Sequence, residues 1–158
     1  MIYQALAQTI LDRLKADTGT GGLYNGGNWS IITGAWNNVS TPDVSLYPYI
    51  VYSFESTSIG GPRDDMFQVD ITFTVYDQSI KGTDRLSPVL DRLHGDGILQ
   101  SNGLPTYGFH RWVPVLPTNG YSATGNGCIV QSTTMQPLDE KITVATSTFR
   151  MIISAQAV

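Results

Sequence analysis

The stretch Met66 to Gln78 reads MFQVDITFTVYDQ, and along it Phe67, Val69, Ile71, Phe73 and Val75 alternate with Gln68, Asp70, Thr72, Thr74 and Tyr76. A period of two puts the apolar set on one face and the polar set on the other, the pattern of a half-buried strand. Coiled into a helix, the same apolar residues would scatter around the cylinder instead of forming a stripe. The stretch is therefore expected to be a central antiparallel strand. Its polar face carries one charge, Asp70, among five side chains. Surfaces that meet other proteins are depleted in charge at their centre. Gln68, Asp70, Thr72, Thr74 and Tyr76 thus form a candidate subunit-interface face.

Working back towards the N-terminus, a second strand is expected over 48–55. Pro48 suits its first position because it has no N–H to donate. Tyr49 and Val51 face one way and Ile50, Tyr52 and Phe54 the other, so this strand needs cover on two sides. Residues 56–65, STSIGGPRDD, join the two strands, and Gly60, Gly61 and Pro62 enforce irregular backbone. The expectation is a hairpin with a long exposed tip. Ile59, Arg63, Asp64 and Asp65 are candidate contact residues there, with a solvated loop as the alternative. Upstream, Ile2, Leu6, Ile10 and Leu14 form an i, i+4 ladder that predicts an amphipathic helix over 1–17. Residues 18–47, rich in Gly, Asn and Ser, read as a long loop holding a short strand at 29–32, and no phosphate-loop spacing occurs in it.

After Gln78 the period changes. Leu86, Val89, Leu90 and Leu93 predict a helix over 83–94 stopped by Gly95, or a shorter one capped by Ser87 with Pro88 at its first position. Residues 107–115, YGFHRWVPV, read as an edge strand, because Pro114 cannot sit in a central one. Residues 128–135 are a weaker strand, and 142–155 close the sheet with Phe149, Met151, Ile153 and Ala155 on one face. The expected fold is one α+β domain over 1–158: a mainly antiparallel sheet of about 4–6 strands carrying two helices, with long loops at 18–47, 56–65 and 113–141. Thr118, Asn119 and Tyr121, in the last of these, are further candidate contact residues.

Composition limits the function. Charged residues make up 14%, against about a quarter in ordinary domains; this fits a surface in wide contact with protein, and a lightly charged monomer equally well. The net charge of -4 and the absence of a basic run oppose phosphate-based binding of nucleic acid. The single Cys128 excludes an internal disulfide and a cysteine metal cage. Without a leader-like segment or 18 consecutive apolar residues, a soluble protein of a reducing compartment is expected, and two glycosylation sequons, at Asn28 and Asn38, read as chance matches.

Chemistry-bearing residues are sparse. His94 falls at a helix end, where it suits the negative dipole end, and His110 lies beside Trp112. No HExxH, Cys-x-x-Cys or GxSxG motif occurs, and Asp64–Asp65 and Asp139–Glu140 are chain neighbours that would point apart on extended backbone. No catalytic, metal or cofactor residue is assigned, and the chain is not expected to be an enzyme.

The order of elements carries a resemblance: an N-terminal helix, the Tyr49–Phe54 strand, a long hairpin, the Phe67–Asp77 strand, a helix with Leu86, Leu90 and Leu93, and a last strand from Phe149 to Ala155. It resembles the tail-completion and tail-terminator proteins of long-tailed bacteriophages, the neck proteins that join head and tail. The resemblance implies a homohexameric ring in the virion, made in the host cytoplasm. The ring would cap the last turn of tail-tube protein, stop its polymerisation and offer a docking face to head-completion or connector proteins, while DNA passes through the lumen unread. The family has no catalytic residues to carry over. The alternatives are a monomeric carbohydrate-binding module using Trp29, Trp36 and Trp112, and a small enzyme dependent on Cys128.

Overall fold

In chain order the elements of the computed structural model are α1 (Ile2–Lys15), β1 (Ser30–Thr33), β2 (Tyr49–Gly60), β3 (Met66–Gln78), α2 (Ser79–His94), β4 (Tyr121–Ala123), β5 (Ile129–Pro137) and β6 (Ile142–Ala155). The structure describes residues 2–18, 22–23, 30–33, 49–60, 66–96, 98, 100–101, 105–114, 116, 121–124, 127–137 and 142–155. The strands make one six-stranded sheet of order β1-β2-β3-β6-β4, with β5 also paired to β6. All pairings are antiparallel except β1 with β2. This is the expected α+β class.

β3 is central. Every residue from Met66 to Gln78 has a partner in β6, from Met66–Ser154 to Gln78–Ile142, and β2 flanks its other side. Its alternation becomes two faces: Val69, Ile71, Phe73 and Val75 are fully buried, and the polar set is half-buried. Register aligns Ile50 and Tyr52 of β2 and Phe149, Met151 and Ile153 of β6 with the apolar side. Leu6, Ile10 and Leu14 of α1 and Leu86, Val89 and Leu93 of α2 join the same core, so both helices cover one face of the sheet. Each fully buried side chain of this kind contributes roughly 1.5–3 kcal/mol relative to exposure. Among the described residues no helix lies on the other face.

Four expectations are corrected. First, 56–60 is not loop: Ser56, Thr57 and Ser58 continue β2 opposite Val69, Gln68 and Phe67. Alternating hydroxyl and β-branched residues suit a strand, and β2 runs on to Gly60. Second, α2 starts at Ser79 and holds Pro88 in its interior. Pro88 is exposed while Leu86, Val89 and Leu93 are buried, so core packing keeps the helix through the missing N–H.

Third, 107–115 is not a strand. Gly108 has φ 81 and Arg111 φ 67, and the amides of Phe109 and His110 donate to the carbonyls of Leu93 (2.8 Å) and His94 (3.0 Å). The last carbonyls of a helix need donors, and this turn supplies two of them while it drives Phe109 into the core. There Phe109 lies 4.5 Å from Phe73 and 5.9 Å from Phe149 between ring centroids. Fourth, 113–141 is not one long loop, since it contains β4 and β5.

Candidate interaction surface

The sheet face without helices is assembled by register. Across β2, β3, β6 and β5 its rows run Val51–Thr74–Thr146–Thr134 and Ser53–Thr72–Thr148–Ser132. β-Branched residues fit the pleat, and their hydroxyls give a neutral polar surface. The next row, Glu55–Asp70–Arg150, holds charge. Arg150 grips Asp70 with Nε at 2.8 Å and Nη2 at 3.2 Å, and this carboxylate raises the guanidinium pKa. The one charge on the polar face of β3 is therefore met inside the chain. At these exposures, 46% for Arg150 and 28% for Asp70, water screens the pair, which fixes geometry more than it adds stability. The five residues proposed as an interface face do lie on one surface, and Thr72 and Thr148 bring their hydroxyl oxygens to 3.4 Å.

At one end of this surface is the β2–β3 hairpin. The register shifts between Ser58 and Gly60, so Ile59 has no cross-strand partner and is 45% exposed. Bulges re-aim side chains in this way. Arg63, Asp64 and Asp65, and likewise Thr118 and Asn119, fall outside the described residues. Tyr121 is not a loop residue: it starts β4, is half-buried against the core and lies 6.0 Å from Phe67 between centroids.

Cys128 is fully buried with Sγ 3.5 Å from Met151 Sδ, and burial pushes its thiol up to about 12; it cannot serve as a thiolate nucleophile near neutral pH. Trp112 is buried edge-on to Phe109 at 5.1 Å, so it offers no platform to a sugar, and Trp29 and Trp36 fall outside the described residues. Among the described residues no group of three or more His, Cys, Asp and Glu could hold a metal, and no helix is long and apolar enough to cross a membrane.

Two polar clusters around the end of α2 have no local signature in the sequence. Arg92 holds Asp17 at 2.5–3.0 Å and stacks 3.6 Å over the Tyr107 ring, while Arg13 donates to the carbonyls of Pro105 and Gly108. His94 and His110 stack at 4.6 Å, and the Val130 amide donates to His110 Nδ1 at 3.4 Å. Desolvation, then His94 and Arg111, lower the His110 pKa. A lowered imidazole pKa means that the folded chain takes up that proton later than the unfolded one. Stability is then full above the ordinary value of about 6.5 and falls as pH drops from there through the folded pKa. His110→Gln, which keeps an acceptor but does not titrate, is expected to flatten that part of a melting-temperature profile; an identical slope in the variant refutes the assignment.

Comparison of the chain with protein-family models and with curated proteins gives no match.

Proposed function

We propose that this protein is a structural component of a phage neck, whose copies close into a ring that caps the tail tube and receives the head. The observation that carries the reading is the pairing of a helix-covered core with an opposite face, rich in hydroxyls, on which no helix lies among the described residues and which ends in a hairpin bearing the exposed Ile59. A face of this extent whose charges are confined to the one row Glu55–Asp70–Arg150 suits a protein contact, and head-to-tail contacts between identical subunits close into rings. The buried Cys128 thiol and the engagement of Asp17, Arg92, His94 and His110 in contacts within the chain support a role in association. Tail-tube protein would meet one side of the ring and connector protein the other, and the net charge of -4 would keep DNA from sticking in the lumen.

Asp70 is spoken for by Arg150, so the test falls on the threonines. Native mass spectrometry is expected to find a closed ring, a hexamer on this reading, formed alone or on added tube ends. Thr72→Arg with Thr74→Arg should shift it to monomers, weakening assembly by roughly tenfold or more through like-charge crowding, while the melting temperature stays within a few degrees. Rings that form unaltered would remove this face from the interface, and a strict monomer with or without tubes would end the neck reading.

A further inference from the structure

β5 is held on one side only. It pairs with β6 from Ile129–Arg150 to Pro137–Thr143, and among the described residues no strand lies on its outer side. Every residue from 131 to 137 is exposed, Met135 included. From 131 onwards the strand is buried on neither face and gains almost nothing there from the hydrophobic effect; Val130 packed against the core, the ladder to β6 and the Thr133–Ser147 hydroxyl contact at 3.2 Å hold it in place. Free edges are normally guarded by charge, a bulge or proline. Here IVQSTTMQP has no charge, its bulge lies between Val130 and Ser132, and its proline is the last residue. The stretch 132–136 is left flat and unguarded.

We propose that this edge is a docking site for a second copy of the chain, β5 against β5, around a two-fold axis at Thr133. A strand and its own copy lie side by side and antiparallel when the axis stands perpendicular to the sheet, and opposed side chains then share a face. Centred on Thr133, that operation sets Thr133 against itself, Ser132 against Thr134 and Gln131 against Met135. Every pair is neutral, and hydroxyl pairs are among the favourable cross-strand pairs. Centred one residue later, Thr133 would meet Met135 and Ser132 would meet Gln136, leaving Thr134 alone with a hydroxyl opposite it. The self-match is what selects a second copy over an unrelated strand. The edge is separate from the hairpin, since β5 runs along residues 143–150 of β6 and the hairpin end lies beside Ser154; Ser132 and Thr134 also end two rows of the hydroxyl face, so Thr133, opposite Ser147 and outside those rows, gives the readout that tells edge pairing from a contact through that face. The pairing therefore does not rest on the neck reading.

The test uses the full chain in sedimentation and light scattering. Wild type should associate in pairs with rising concentration. The variant S132K/T134K opposes like charges twice across the axis and should weaken pairing roughly tenfold, whereas S132K/T134E opposes unlike charges and should restore it. All four substitutions fall on exposed positions, and an unchanged far-ultraviolet spectrum verifies the fold. T133C should oxidise to a covalent dimer, with the fully buried Cys128 not competing. A monomer at every concentration that yields no T133C dimer overturns the proposal, as does S132K/T134E behaving no better than S132K/T134K. Rings that keep their mass in S132K/T134K would overturn the edge pairing and leave the neck reading standing.

Discussion

Replacing Gly108 by alanine is expected to remove roughly 3–5 kcal/mol of stability, a large share of what a domain of this size has. Gly108 sits at φ 81, and a Cβ there would lie 2.5 Å from the Cα and N of Gly95 and 2.7 Å from the carbonyl carbon of His94. Those are backbone atoms and cannot rotate away. Gly95 is itself at φ 97, with its N–H donated to Asp91, so relief would have to break the end of α2. The same shift would pull Phe109 from the aromatic core and the Gly108 carbonyl from Arg13. Gly60 supplies the control, because it has φ 89 but nothing within 4 Å of its virtual Cβ. Gly60→Ala should cost only the left-handed backbone penalty, about 1–2 kcal/mol. Urea midpoints at constant slope would measure both; equal losses would show that the crowding between Gly95 and Gly108 is unimportant.

Asp17→Ala should cost about 3 kcal/mol, and Asp17→Asn clearly less. Asp17 is nearly buried, with its side chain 7% exposed, and it meets both Arg92 and the amide of Leu23 (3.1 Å). Removing one partner of such a pair leaves the other desolvated, a loss of roughly 3–5 kcal/mol when both are buried; Arg92, 19% exposed, keeps some water and lowers the figure. The carboxylate in turn holds the Arg92 pKa above its ordinary value through their hydrogen bond. Asparagine can keep the Leu23 contact and one bond to Arg92, hence the smaller loss. A double-mutant cycle with Arg92→Met should return a coupling above about 1 kcal/mol. Additive losses would mean that Asp17 acts only through Leu23.

Legibility followed the range of the forces involved. β3 and β6 could be read to within a residue or two, because strict alternation is a local property of thirteen and fourteen residues. α1 was likewise plain from its ladder. The 107–115 segment misled because its aromatic and β-branched residues favour a strand locally, while the fate of Phe109 depends on a space between Phe73 and Phe149 that only the folded sheet creates. Pro88 misled for the same kind of reason: propensity argues against a helix interior, and three buried neighbours override it. In the candidate surface, the shared face of Gln68, Asp70, Thr72, Thr74 and Tyr76 was legible from parity. The partner of Asp70 was not, being eighty residues away in the chain.

By itself, then, the sequence determined which residues of Met66–Gln78 face inwards and that they form a strand, since side-chain alternation is built into extended backbone. Tertiary structure decided what its two faces meet. Pairing with β6 over the full strand neutralised Asp70 and lined up the threonines, and both helices packed on one side, with no helix among the described residues on the other. Hydrogen-bond register and layer placement are set between segments distant in the chain, so no local pattern could have specified them.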